Sequence, residues 1–221
     1  MDEKNLARIE YYFAEMLFVL EMPVPKAWIV DLVPTARLND LQKLFEGKLR
    51  GPTNLWFIGT ANNDASAFTI TDKVYDRAIP IEINSCGTIF EALSTEPINI
   101  SIEHLEALFA EAKAKHSLSE ASLIKLEKLD SYMAEYFKLQ FGNRIMKQIY
   151  DFVPVYVAYG GTKLEALDYL IARKILKKLE SLNIAYVRDE INDLISFMGK
   201  NFGKTALRES KAYLQRIQNL F

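Results

Sequence analysis

Asn54-Leu-Trp-Phe-Ile-Gly-Thr-Ala-Asn-Asn-Asp64 is the stretch on which the reading of this chain turns. The apolar residues 55–58 stop at Gly59 and give way to the small polar residues Thr60, Asn62 and Asn63. A short unbroken apolar run closed by a turn signal predicts a buried strand. An asparagine at the carboxyl end of such a strand stands at the crevice where open α/β sheets bind ligands. Further on, Thr71-Asp-Lys-Val-Tyr-Asp-Arg-Ala-Ile-Pro-Ile-Glu-Ile83 supplies a cation, Arg77, and then a second apolar run over 78–83. That run predicts another strand, with Pro80 marking an edge or a bulge. Together these residues point to nucleotide chemistry.

Outward from this stretch the texture changes. Residues 1–85 mix helix and strand signals, and residues 98–221 read as helical almost throughout, so a boundary is expected near 86–98. Asn5 is placed to cap a helix whose apolar residues Leu6, Ile9, Phe13, Met16, Leu17 and Leu20 recur at helical spacing, with Pro23 and Pro25 ending it. Residues 27–33 read as a strand, 38–49 as a short helix, and Gly51-Pro52 as a turn. A short helix is expected after Cys86-Gly87. Ser101 starts a helix with Ile102, Leu105, Leu108 and Phe109 on one face, and Ser119 starts another with Leu123, Leu126, Leu129, Met133 and Tyr136 as its stripe. Phe141-Gly142-Asn143 interrupts the pattern and Arg144 opens the next helix. Gly160-Gly161 breaks it again; a helix resumes at Thr162 or Lys163 and runs to Leu182, and two more follow over 187–199 and 204–220.

Composition narrows the function classes. Of 221 residues, 50% are hydrophobic and 25% charged, the balance of a globular protein with a core. A net charge of −2 gives no global field toward nucleic acid or an anionic membrane. Cys86, as the one cysteine, excludes an intramolecular disulfide framework and fits a reducing compartment. The apolar runs fall well short of the ~20 residues of a membrane helix, and a cytoplasmic protein with no membrane partner is expected. His104, His116 and Cys86 lack zinc-ligand spacing, and no nucleophile signature accompanies a Ser-His-Asp or Cys-His set. Tyr11, Tyr12 and Phe13 form an aromatic cluster that serves either a helix core or base stacking.

Asp2-Glu3 stands directly before a helix. Two adjacent carboxylates there complement the helix dipole. Alternatively, such a pair holds Mg²⁺ through its water shell with one carboxylate and polarises an attacking water with the other. Arg77 either pairs with Asp72 or Asp76 or reaches a phosphate. Arg144 is either a solvated helix-start residue or a phosphate contact.

The segment from Asp2-Glu3-Lys4-Asn5 through Tyr11-Tyr12-Phe13-Ala14-Glu15 resembles the Walker B region of AAA+ ATPases, in particular the McrB-like branch related to modified-cytosine restriction motors. Gly59-Thr60-Ala61-Asn62 is similar to that family's sensor 1, residues 72–77 to the segment carrying the arginine finger, and Phe141-Gly142-Asn143-Arg144 to sensor 2 of the lid. The resemblance implies an α/β remnant of a AAA+ P-loop core over 1–86, an all-α lid over 98–182 and a C-terminal helical extension over 183–221, predominantly helical as a whole. It implies that Asp2 supports Mg²⁺, Glu3 activates water, and Asn62, with Asn63 as the second choice, senses the γ-phosphate. Arg77 then acts on a neighbouring subunit's nucleotide, and Arg144 contacts phosphate from the lid. The implied activity is hydrolysis of ATP or GTP with Mg²⁺ in a ring-forming, restriction-related motor. The implied partners are like subunits or subunits bearing Walker A, with a nuclease or DNA-associated partner possible in such systems.

Departures qualify that expectation. Lys4 follows the acidic pair where the family has an apolar or small residue. No Gly-x-x-x-x-Gly-Lys-[Ser/Thr] occurs, and Gly160-Gly161-Thr162-Lys163 reads as a helix-capping turn. Only Met1 stands where an apolar strand leads into Asp2. These departures imply a truncated subunit, or a split product completed by a partner chain, that is inactive in isolation. The alternative is a non-catalytic oligomerisation or adaptor module that donates Arg77.

Overall fold

The computed structural model describes residues 3–20, 22, 28–31, 44–45, 47–52, 54–62, 68, 70–83, 87–182 and 188–219. The described residues are predominantly helical and divide into two units, Met1–Pro80 and Ile81–Phe221. Among them no helix is long and apolar enough to cross a membrane.

The first unit is built from short elements. A 3₁₀ turn, Lys4–Leu6, leads into α1 (Ile9–Tyr12) and α2 (Ala14–Val19), which are separated at Phe13. The single helix expected from Asn5 is therefore divided, and Asn5 lies inside the 3₁₀ turn instead of capping a helix. Strands β1 (Ile29–Asp31), β2 (Leu44–Phe45) and β3 (Lys48–Arg50) form an antiparallel sheet of order β1-β3-β2, with Val30 opposite Leu49 and Phe45 opposite Lys48. β1 falls within the strand expected over 27–33. The helix expected over 38–49 is replaced, over its described part, by the β2–β3 hairpin. Gly47 at φ 78° adopts there the left-handed conformation that tight hairpin connections need. Helix α3 (Asp72–Tyr75) follows. Ile9, Leu17 and Val74 form a small core, with Phe13 and Ile70 packed on it and the Phe57 ring edge-on to Phe13 at 5.2 Å.

Two strand expectations are corrected. Residues 55–62 have no regular secondary structure, and Trp56 and Ile58 are 68% and 81% exposed. A run without alternation needs cover on both faces to become a buried strand, and among the described residues no ladder pairs with it. Residues 78–83 also lack a strand, with Ile79, Ile81 and Ile83 exposed and Pro80 unable to donate to a ladder. The short helix expected after Cys86-Gly87 is absent as well. Residues 87–100 are irregular and exposed, and a short helix persists only where its apolar face is packed.

The second unit is a helical assembly: α4 (Ile102–Lys115), α5 (Glu120–Phe137), α6 (Gly142–Ala158), α7 (Lys163–Leu170), α8 (Arg188–Phe202) and α9 (Arg208–Asn219). Local chemistry explains three of the starts. The Ser101 and Ser119 hydroxyls accept from the backbone N–H groups of His104 and Ser122. Thr162 and Glu165 form a reciprocal capping box at α7. Gly161 before it lies against Tyr156, and a Cβ there would sit 2.1 Å from the ring. Two helices draw a cap from elsewhere. Asp130 of α5 accepts from the Phe141 N–H at the entrance of α6, 2.8 Å away. Asp168 of α7, almost fully buried, accepts from the N–H groups of Glu209 and Ser210 at 2.8 Å and from the Ser210 hydroxyl at 2.6 Å. That carboxylate meets the positive end of α9.

Beyond α7 the helical path widens into a π-helical turn, Ile171–Ile175, and tightens into a 3₁₀ turn, Leu176–Ser181. One core joins α5 through α9, from Leu126, Leu129 and Met133 through Ile149 and Val153 to Leu176, Leu194, Met198 and Leu214. Residues of both 98–182 and 183–221 contribute to it. Tyr132 stacks on Phe197 at 4.4 Å to join α5 to α8, and Phe152 on Tyr169 at 5.6 Å to join α6 to α7.

Candidate functional site

Residues 3–5 and 60–62 are tied together by a run of hydrogen bonds. Glu3 takes φ 41°, a left-handed conformation, and its N–H donates to the Thr60 hydroxyl at 2.9 Å. The next N–H, that of Lys4, donates to the Thr60 carbonyl at 2.9 Å. Asn5, 5% exposed, completes the pairing with its side chain. Its Oδ1 accepts from the Asn62 N–H at 3.2 Å, and its Nδ2 donates to the carbonyls of Asn62 at 2.6 Å and Phe68 at 3.3 Å. An amide that both donates and accepts thereby replaces a strand partner for Asn62. The Asn5 carbonyl in turn accepts from the Phe68 N–H at 2.9 Å.

The outcome is a side-chain pair. Asn62 Nδ2 donates to Glu3 Oε1 at 3.3 Å, with both residues exposed at the same edge. A carboxylate and a neutral amide so placed can accept a proton from a water and orient it. Around them, the Tyr12 hydroxyl donates to the Lys4 carbonyl at 2.6 Å, and burial raises the Tyr12 pKa. The Arg8 guanidinium lies 5.7 Å from the Tyr11 ring and 5.6 Å from the Phe68 ring.

The remaining expected residues fall elsewhere. Asp2, the expected Mg²⁺ ligand, and Asn63 lie outside the described residues, as does Cys86. Arg77 follows α3 and is partly buried, and its Nη1 donates back to the Lys73 carbonyl, a cation satisfying a helix C-terminus. Arg144 stands exposed in the first turn of α6, in the second unit. Among the described residues no group of three or more His, Cys, Asp or Glu could hold a metal ion.

Sequence reasoning gave Asn5 the wrong task, because its nearest signal is the helix start beside it while its partners lie 57 and 63 residues away. It also passed over Glu82, which binds Lys177 and Arg216 in the second unit. The visible cue there is one acid set between two isoleucines.

A family model described as a domain of unknown function, DUF8727, matches residues 97–221, more than half of the chain. No curated protein matches, and no solved structure matches.

Proposed function

We propose that this chain, which belongs to the DUF8727 family, carries the water-orienting part of a AAA+-type nucleoside-triphosphatase site. One observation carries the reading: Glu3 and Asn62, 59 residues apart, meet at 3.3 Å on backbones linked through Thr60 and Asn5. A carboxylate beside an amide is an arrangement that can deprotonate and orient an attacking water. The roles proposed are Glu3 as general base, Asn62 as the amide contacting water or γ-phosphate, and Asp2 as the support for Mg²⁺. Arg77 and Arg144 are proposed as phosphate contacts, Arg77 toward a neighbouring subunit.

The fit to ATP or GTP with Mg²⁺ is partial. Glu3 and Asn62 suit the water, but the sequence holds no phosphate-loop motif to cradle the phosphates. The proposed partner is therefore a AAA+ subunit that bears the loop. The second reading, an adaptor that only donates Arg77, draws on the position of that arginine just past the end of α3.

Phosphate release from Mg·ATP and Mg·GTP, measured for the chain alone and mixed with a phosphate-loop subunit, separates these readings. The chain alone is expected to release none, and turnover by it overturns the partial-site reading. Stimulation in the mixture that falls about 10²-fold in both Glu3→Gln and Asn62→Ala supports the site. Stimulation lost in Arg77→Ala but kept in Glu3→Gln supports the adaptor. No stimulation removes both.

A further inference from the structure

Residues 81–83 are fastened to the helical unit by charge. Ile81 and Ile83 are 77% and 85% exposed, whereas Glu82 between them directs its carboxylate inward. Lys177 Nζ, from the 3₁₀ turn, donates to Oε1 at 3.2 Å, and Arg216 Nη2, from α9, donates to Oε2 at 2.9 Å. A segment that leaves its apolar side chains in water and inserts its acid between two cations is held by charge-assisted hydrogen bonds.

The receiving surface is shaped for this. A cleft of 230 Å³ opens beside Glu82, with Ala172 and Ala212 leaving room and Arg173, Tyr213 and Arg216 on its walls. Each cation is already oriented. Arg216 lies over the Tyr213 ring at 5.1 Å, and Arg173 over Tyr169 at 3.9 Å while it pairs with Glu209. Lys177 also pairs with Glu180 at 2.9 Å, and the Tyr213 hydroxyl donates to Glu180 at 2.5 Å. The π-helical turn carries Arg173 to the cleft, a backbone irregularity that recurs at functional sites. All of these receiving residues lie within the stretch matched to the family, and Glu82 precedes it.

We propose that the cleft between the 3₁₀ turn Leu176–Ser181 and α9 is a docking site for an acidic peptide segment, occupied here by the chain's own Glu82. The segment it fits is extended, with one glutamate between apolar residues that stay outside. The occupant is displaceable, since its grip is electrostatic and weakens with salt. Burial raises the Glu82 carboxyl, but the Arg216 hydrogen bond and the charges of Lys177 and Arg216 outweigh burial and hold it below the usual carboxylate range. The charged and titratable groups facing it are Lys177, Arg216, Tyr213, Glu180, Arg173 and Glu209. This site is independent of the nucleotide reading.

The test uses the full chain and a fluorescent peptide of residues 79–83, followed by anisotropy. Glu82→Ala is expected to bind the peptide, several-fold more weakly at 300 mM than at 50 mM NaCl, while the unsubstituted chain, whose own Glu82 competes, binds it more weakly under both conditions. Adding Arg216→Ala, or replacing the peptide's glutamate by glutamine, is expected to abolish the signal. Equal binding by both chains, no binding by a helical Glu82→Ala chain, or equal binding of the glutamine peptide overturns the proposal. Displacement of the peptide by an equal concentration of inorganic phosphate overturns the peptide assignment. Should Glu82→Ala lose its helical circular dichroism, carbon NMR of the Glu82 carboxyl in the unsubstituted chain decides. A midpoint below that of free glutamate, restored in Arg216→Met, supports the site, and an ordinary midpoint overturns it.

Discussion

The two units hold themselves together by different means. In Ile81–Phe221 a continuous set of side chains is withdrawn from water, with Leu129, Met133, Ile149, Val153, Leu194 and Met198 all fully buried. Among the described residues of Met1–Pro80 the buried cluster is Ile9, Leu17 and Val74, Val19 and Val30 are also buried, and Trp56 and Ile58 face solvent. The recurrent tie there is polar, from Asn5 and Thr60 to the backbone of residues 3–4 and 62. Burial of apolar surface scales with area and tolerates small displacements, whereas hydrogen bonds specify atoms. The first unit is thus the one in which a few polar residues set the position of a carboxylate and an amide.

Ile149→Ala probes the helical side of this contrast and should have the largest effect. The residue is fully buried on α6 within the shared core. Truncation should lower the unit's unfolding free energy by about 2–5 kcal/mol, read from urea titration of the helical signal. A loss under about 1 kcal/mol would show the core to be far looser than its burial indicates.

Asn5→Ala probes the other side. It strips three side-chain hydrogen bonds, made by a buried amide, from backbone groups of Asn62 and Phe68. The expected cost is about 1–3 kcal/mol for the first unit. Amide exchange at Asn62 should rise while exchange in α5 through α9 stays unchanged. Protection at Asn62 equal to that of the unsubstituted chain would mean that Asn5 does not hold this edge.

A smaller effect follows from pH in the helical unit. The folded pKa of Glu82 lies below its ordinary value, so folding favours the ionised form. The stability it contributes is present above the ordinary carboxyl range, near pH 4.3, and is lost as pH falls through the depressed folded value. Glu82→Gln should remove that acid-side slope and cost at most about 1 kcal/mol at neutral pH, since part of the carboxyl is open to water. An unchanged slope between pH 5 and 2 in the variant would assign it to other carboxylates.

Legibility from sequence follows the same division. The helices of the second unit announce themselves through local chemistry, with Ser101, Ser119 and Thr162 capping where a polar residue precedes helical periodicity. Even there, Tyr136 is 48% exposed and Phe137 takes the buried place, since it lies one turn beyond Met133. The Asp168 cap on α9 was not readable, because its partners stand 41 and 42 residues away. The carboxylate and amide of the candidate site were singled out from the motifs Asp2-Glu3 and Gly59-Thr60-Ala61-Asn62. The amide clamp of Asn5 was not, because no local pattern encodes a bond to residue 62.

The smallest expected effect tests whether the contrast is real at the stretch that first suggested a fold. Trp56 reads in sequence as the centre of a buried strand, where replacement by serine would cost several kcal/mol. With its side chain 68% exposed and no ladder beside it among the described residues, Trp56→Ser should change stability by no more than about 0.5 kcal/mol. The emission maximum of the unsubstituted chain gives a second measure, since the contribution removed by the substitution should be that of a solvated indole. A destabilisation above about 2 kcal/mol, or loss of a blue-shifted component, would put the 55–58 run inside a core. The polar tie at Thr60 and Asn62 would then rest on a strand, and the two units would differ in size of core and not in kind.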